Sequence, residues 1–370
     1  MKTIGILTSS RADYGIYLPL LNLLKKDPDF SLKLIVFGTH LSPFHGYTIN
    51  NIVEDGFNTN YIIESMVIGD TPNSISTALA LTSLKFADFW KDHINEFDLV
   101  FCLGDRYEMF AAVTSGIPFN IPFAHIHGGE KTLGAIDDIF RNSITLASKY
   151  HFVSCESHRK RVAKLTESQD NIYNIGALSL DSISSLSLLS INDFKERHGL
   201  DLSNPTILLT LHPETKHPDN NEAFVNELSL TLLKLKNYQV LITLPNADTF
   251  GTIIRNRFLL LPSQSENRIQ CFENLGTQSY FTAMKYCSFM IGNTSSGIIE
   301  AASFGKWVIN VGNRQYGRIH SNNVYNSPFK ESSIIKFIKR IEKDPDYKGG
   351  NIFFQGNAAS LVCSVLKKYL

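Results

Sequence analysis

Along the chain, short apolar runs alternate with longer stretches in which apolar residues return every three or four positions. The short runs predict buried strands and the longer ones amphipathic helices. Thr3–Ser9 reads as a strand, followed by a helix over Gly15–Lys26 that Pro28 helps to end. Ser31–Gly38 is a second strand, Ser74–Asn95 a long helix, and Leu99–Leu103 a third strand. A helix follows Asp105, then a strand at Ile121–His127, a helix at Asp137–Ala147 and a strand at Tyr150–Ser154.

After the polar stretch Lys195–Asn204 the alternation starts again. Strands are expected at Thr206–His212, Gln239–Pro245, Ile269–Phe272, Ser288–Gly292 and Trp307–Asn310, with a helix at Asn221–Leu235. Another helix opens on serines after Thr294 and stops at Gly305, and Asn357–Leu370 forms a last one with an apolar face. Apolar strands alternating with helices are the signature of parallel sheets covered on both faces. The fold class is therefore α/β, with two doubly wound Rossmann-like domains, residues 1–175 and 176–370, facing a cleft, and a hinge near residues 170–200. Ligands of such folds bind outside the carboxyl ends of the strands.

Composition narrows the function. The 370 residues are 43% hydrophobic and 19% charged, enough for two sizeable cores and unlike a disordered chain. Lys plus Arg is 35 and Asp plus Glu is 35, so the net charge is zero and no general attraction to nucleic acid or to an anionic membrane is expected. No apolar run approaches the ~20 residues of a membrane span. No secretory signal pattern precedes the first strand, and five scattered cysteines without a CxxC pair suggest a reducing compartment, so the expected location is cytoplasmic.

The chemistry-bearing residues gather at strand ends. Strand 1 runs into Arg11 and Asp13, which either meet a phosphate and a ribose or are, respectively, a solvated cation and a helix cap. No GxGxxG motif accompanies them, so no dinucleotide cofactor is expected. Asp105 and Arg106 follow the third strand, with Glu108 placed for a capping box. The densest cluster runs from His125 and His127 through Gly128-Gly129 to Glu130, then Asp137, Asp138 and Arg141. Carboxylates beside imidazoles suit proton transfer, and their spacing matches no standard zinc pattern, so no metal is expected. In the second half His212 closes a strand, and Asn246 closes the next. Thr294, Ser295 and Ser296 open a helix where free N–H groups favour phosphate, Glu300 is placed for ribose hydroxyls, and Arg314 and Arg318 carry charge suited to a diphosphate.

Taken in order, SSRADYG (9–15), LGDRYE (103–108), HIHGGEKTLGAIDD (125–138), IGALSLD (175–181), HPET (212–215), GNTSSGIIEA (292–301) and NRQYGR (313–318) resemble the hydrolysing UDP-N-acetylglucosamine 2-epimerases of bacterial sialic acid synthesis. The resemblance spans almost the whole chain and implies a GT-B-like pair of domains with the last helix packing back on the first. It implies Asp105, Glu130, Asp138 and His212 as catalytic residues. Arg11, Asp13, Arg106, Asp137, Arg141, Asn246, Thr294, Ser295, Ser296, Glu300 and Arg314 are the implied substrate-binding residues. It leaves open which carboxylate is base and which is acid, and it does not separate Asp137 from Asp138. Where the family commonly carries His after the Arg of this helix, the chain has Asn142. The implied reaction converts UDP-N-acetylglucosamine and water to N-acetylmannosamine and UDP, without cofactor, in a homodimer or homotetramer. The alternatives are the same reaction on UDP-2,4-diacetamido-2,4,6-trideoxyglucose, in legionaminic acid synthesis, or a glycosyltransferase of the same fold.

Overall fold

The computed structural model describes residues 1–245, 249–266 and 268–370. The chain divides into two compact units. Met1–Glu130, Asp137–Ser184 and Phe353–Leu370 form the first, and Lys131–Ile136 with Ser185–Ile352 form the second. The six-residue segment between Glu130 and Asp137 therefore belongs to a different unit from the residues on either side of it.

The first unit holds strands β1 (Lys2–Thr8), β2 (Phe30–Phe37), β3 (Tyr61–Ile63), β4 (Leu99–Leu103), β5 (Phe123–Ile126), β6 (Tyr150–Val153) and β7 (Ile172–Asn174). They form one sheet in the order β3-β2-β1-β4-β5-β6-β7, every pair parallel. The second unit holds β8 (Thr206–Thr210), β9 (Gln239–Thr243), β10 (Ile269–Phe272), β11 (Phe289–Gly292), β12 (Val308–Val311) and β13 (Val324–Ser327). Their order is β10-β9-β8-β11-β12-β13, again all parallel. Both sheets have the same switch point: the chain winds outward in one direction from β1 or β8, then returns to add β4 or β11 on the other side. Three of these strands, β3, β7 and β13, go beyond the sequence reading, and all three are outermost.

Period-two alternation builds the first core. Leu99, Phe101 and Leu103 face one layer and Val100 and Cys102 the other. One layer is the helix Arg11–Lys26, through Tyr17, Leu20 and Leu24, with the final helix Ala358–Tyr369, through Val362 and Leu366. The opposite layer is built on Phe86, Phe89 and Trp90 of the helix Pro72–Asp92, and the Trp90 indole N–H donates to the carbonyl of Ala112 at 2.9 Å. Asp181 receives the final helix by accepting the N–H groups of Ala358 (3.0 Å) and Ala359 (2.7 Å), free donors in the helix's first turn. Among the described residues no helix is long and apolar enough to cross a membrane.

Three of the buried histidines of this first unit, His40, His125 and His151, are held well below the usual imidazole range. His40 bridges Thr8 and Thr48 hydroxyls at 2.9 and 2.8 Å, and His125 bridges the Gly104 carbonyl and Thr145 hydroxyl at 2.8 and 3.0 Å. Burial pushes His40 and His151 down to about 4 and His125 down to about 3. Below pH 6.5 the unfolded chain takes up protons at these rings that the folded unit still refuses. Stability is therefore unaffected by them above pH 6.5 and falls as pH drops from 6.5 towards 4, by about 1.4 kcal/mol per ring per pH unit. Calorimetry between pH 7 and 4.5 should show the first unit's melting temperature falling. His151→Phe should remove about one third of that slope, and an unchanged slope would show that His151 is not kept neutral by the fold.

Candidate functional site

In the first unit the switch point lies between β1 and β4, where doubly wound sheets place their ligands. Gly104 and Asp105 leave β4 there, and Ser9, Ser10 and Arg11 leave β1. The structure gives Asp13 a capping role. Its Oδ2 accepts the Ser9 N–H (2.8 Å), the Ser9 hydroxyl (2.7 Å) and the Ser10 N–H (3.1 Å), while Oδ1 accepts the Ser10 hydroxyl. That capping box is the role the structure shows for the Asp13 carboxylate, and Arg11 stands at the helix opening. Arg106 donates Nε and Nη2 to the buried Glu108 carboxylate at 3.2 and 2.8 Å, so Glu108 is that arginine's partner and makes no capping box.

Around Arg141 the carboxylates come together. The residue is 3% exposed. It donates Nη2 to Asp105, donates Nη1 to the Glu130 carbonyl at 3.1 Å, and lies 3.7 Å from Asp138. Burial works against its charge, but Asp105, Glu130, Asp137 and Asp138 outweigh that and push its pKa up. Arg161 adds a second cation, 2.6 Å from the Glu130 carbonyl and 3.4 Å from Asp138. Asn142 donates to Asp138 at 3.4 Å, so the amide braces that carboxylate. Asp138 is buried in this group, whereas Asp137 is half-buried, a distinction the sequence did not make.

Glu130 itself is 2% exposed. Its Oε1 accepts from His127 Nδ1 at 2.7 Å and from the Ser154 hydroxyl at 3.3 Å. Gly129 precedes it at φ +80°, and a Cβ there would stand 2.6 Å from the His158 carbonyl, so only glycine lets the chain turn so closely past that helix. Asp105, Glu130, Asp137, Asp138 and Arg141 thus form one ensemble. His127, Ser154, His158 and Arg161 belong with them. Sequence reasoning did not assign these four, three of which lie outside the quoted motifs.

In the second unit β8 and β11 flank the equivalent switch point. His212 and Asn293 are locked across it: the His212 N–H donates to Asn293 Oδ1 (2.7 Å), and Asn293 Nδ2 donates to the His212 carbonyl (2.9 Å). The Asn293 carbonyl accepts Gln315 Nε2 at 2.7 Å and Arg314 Nη1 at 3.4 Å. Gly292 holds φ +142°, and a Cβ would lie 2.0 Å from the Thr210 carbonyl, so the turn into this segment admits no side chain. Thr294 caps the short helix Ser295–Ile299 through the Ser296 N–H, and Glu300 ends it, 6% exposed. His212, Thr294, Ser295, Ser296, Glu300 and Arg314 are therefore placed along one strand-end rim. Asn246 lies outside the described residues. Beyond β12 and β13 a cavity of about 510 Å³ is lined by Asn310, Gln315, Arg318, His320, Asn326 and Phe329. Among the described residues no three His, Cys, Asp or Glu side chains are grouped to hold a metal.

Against known proteins, residues 22–367 match the family described as UDP-N-acetylglucosamine 2-epimerase. The chain is 34% identical over 330 residues to the GDP/UDP-N,N'-diacetylbacillosamine 2-epimerase (hydrolyzing) of Campylobacter jejuni, covering 89% of this chain and 85% of that one. It is 32% identical to the polysialic acid biosynthesis protein P7 of Escherichia coli, over 100% of this chain and 95% of the relative. Among solved structures, UDP-GlcNAc 2-epimerase from Neisseria meningitidis bound to UDP-GlcNAc has a TM-score of 0.82 at 18% identity, with both chains fully covered, a likeness of fold.

The buried ion cluster makes a prediction about stability. Arg141→Met should cost about 3 kcal/mol, because it leaves neighbouring carboxylates without their cation. Denaturant unfolding should show a lower midpoint, with Arg141→Lys falling between. A midpoint equal to the parent's would show that Arg161 alone sustains the cluster.

Proposed function

The chain belongs to the UDP-N-acetylglucosamine 2-epimerase family, and from that membership we propose that it is the hydrolysing type, converting UDP-N-acetylglucosamine and water to N-acetylmannosamine and UDP. The observation that carries the reading is the convergence of Asp105, Glu130 and Asp138 around Arg141 at a strand-end switch point. Binding a nucleotide sugar needs few carboxylates, whereas moving protons at a sugar carbon needs them in position.

The C2 hydrogen of a 2-acetamido sugar is only weakly acidic. Its removal becomes feasible when the C1–O bond breaks in the same event and UDP carries away the electron pair. A carboxylate takes H2 on one face and UDP leaves from the other, giving a 2-acetamidoglucal. Water then adds its hydroxyl to C1, and a proton reaches C2 from the face opposite the original hydrogen. The product is the free 2-epimer, and one water is consumed per UDP released. Glu130 and Asp105 are the carboxylates whose loss should cost most, with Asp138 completing the set and Asp137 beside it. Arg11, Arg106 and Arg141 supply positive charge in the same unit.

In the second unit His212, Thr294, Ser295, Ser296 and Arg314 suit a departing diphosphate, since hydroxyls, helix N–H groups and a guanidinium stabilise charge that grows as the bond breaks. Glu300 suits the ribose hydroxyls, and Asn246 is assigned to the same substrate. No step of this scheme calls on a metal or a redox cofactor. The name of the C. jejuni relative favours a second reading, in which the sugar is the 2,4-diacetamido-2,4,6-trideoxy analogue. The C2 chemistry is then unchanged, because that sugar differs at C4 and C6.

Proton NMR in heavy water, with the two UDP-sugars in parallel, tests both. Release of UDP with N-acetylmannosamine deuterated at C2 is the expected result. Turnover of the analogue alone would keep the chemistry and change the substrate. A 2-epimerised sugar still attached to UDP would overturn the hydrolysing assignment.

A further inference from the structure

His127 combines left-handed backbone with a buried ring nitrogen that is unpartnered among the described residues. It follows β5 at φ +66°, left-handed backbone uncommon for any residue but glycine, and its N–H is fixed on the Phe152 carbonyl at 3.0 Å. The residue is 6% exposed in total. Nδ1 meets Glu130 Oε1 at 2.7 Å, and Nε2 is buried with no hydrogen-bond partner among the described residues. A strained residue carrying an unsatisfied buried nitrogen costs stability, and such costs gather at functional sites.

We propose that His127 is a positioning residue for Glu130, holding that carboxylate in one orientation for proton transfer at the sugar C2. This rests on the reading of Glu130 as one of the carboxylates that act there. The left-handed turn bends the chain back so that a side chain three residues before Glu130 meets its oxygen. Nδ1–H donates to Oε1, and Ser154, itself 2.9 Å from His158 Nδ1, loads the same oxygen from the other side. Arg141 and Arg161 pin the Glu130 carbonyl at 3.1 and 2.6 Å. Backbone and carboxylate are thus fixed independently, and without His127 a donor on Oε1 is lost. Besides Glu130, His125 interacts electrostatically with this ring, while Cys155, Arg141, Arg161 and, through Ser154, His158 surround its partner Glu130.

Two substitutions separate positioning from packing, since Asn and Gly both accept this backbone. In His127→Asn the side-chain amide nitrogen occupies the place of Nδ1 and restores the bond to Glu130. In His127→Gly it is absent, and added imidazole can refill the space. The expected result is a kcat within about threefold of the parent for His127→Asn, and about 100-fold lower for His127→Gly with KM nearly unchanged and partial recovery in imidazole. Melting temperatures of the two variants show whether both are folded. Equal kcat in the two variants, or a loss confined to KM, would overturn the proposal.

A substrate-free measurement separates this from the functional reading. Long-range proton–nitrogen NMR should find His127 protonated at Nδ1 and changed in tautomer by Glu130→Ala. A signal indifferent to Glu130→Ala overturns the pairing. A paired ring in a parent protein that turns over neither UDP-sugar overturns the functional reading, and with it the role proposed for His127 in that reaction.

Discussion

A buried guanidinium is costly unless anions and hydrogen-bond acceptors surround it, and Arg141, a residue 3% exposed, has both. Asp105 comes from the end of β4, Glu130 from the turn after β5, and Asp138 from the start of the helix that carries Arg141. Each would repel the others without the cation. With it, three chain segments are drawn to one point on the sheet edge, and a helix begins where Asp137 and Asp138 complement its free N–H groups. The same interaction thus fixes the local fold and gathers the carboxylates that the proposed chemistry needs.

The second unit solves a related problem with neutral groups. Asn293 and His212 exchange hydrogen bonds across the gap between β8 and β11, so two loops that would otherwise diverge are held at one spacing. Gly292 makes this possible by letting β11 pass the Thr210 carbonyl without a side chain. The hydroxyl residues that follow stand on a helix only five residues long, Ser295–Ile299, whose position depends on that brace. In the proposed reaction such a preset rim suits a leaving group whose charge grows, because its hydroxyl, N–H and guanidinium donors need no rearrangement when the charge appears.

Where the sequence reading fell short, the reason is physical. The outermost strands β3, β7 and β13 run three or four residues and are partly exposed, so they lack the continuous apolar run that marks a buried strand. Asp13 was ambiguous between cap and ligand because both need a carboxylate just inside a helix start. The four donors contributed by Ser9 and Ser10 establish the cap. Glu108 matched a capping-box spacing, but the nearest cation took it. Arg161, Ser154 and His158 carried no signal that a motif reading could use, for they enter the cluster from a strand and a helix some twenty to thirty residues further on.

The sequence by itself determined the α/β class, the alternation that buries both faces of two sheets, and the identity of the residues at most strand ends. Those follow from periodicity and from spacing along one strand or helix, which are local properties. Tertiary structure alone decided that Asp138, more than Asp137, enters the ion cluster, that His127 turns left-handed to meet Glu130, and that residues 131–136 belong to the second unit while their neighbours belong to the first. Each of these depends on which side chains meet across separate elements, and the energy that selects them, a buried charge satisfied or left alone, exists only once the sheet has brought those elements together.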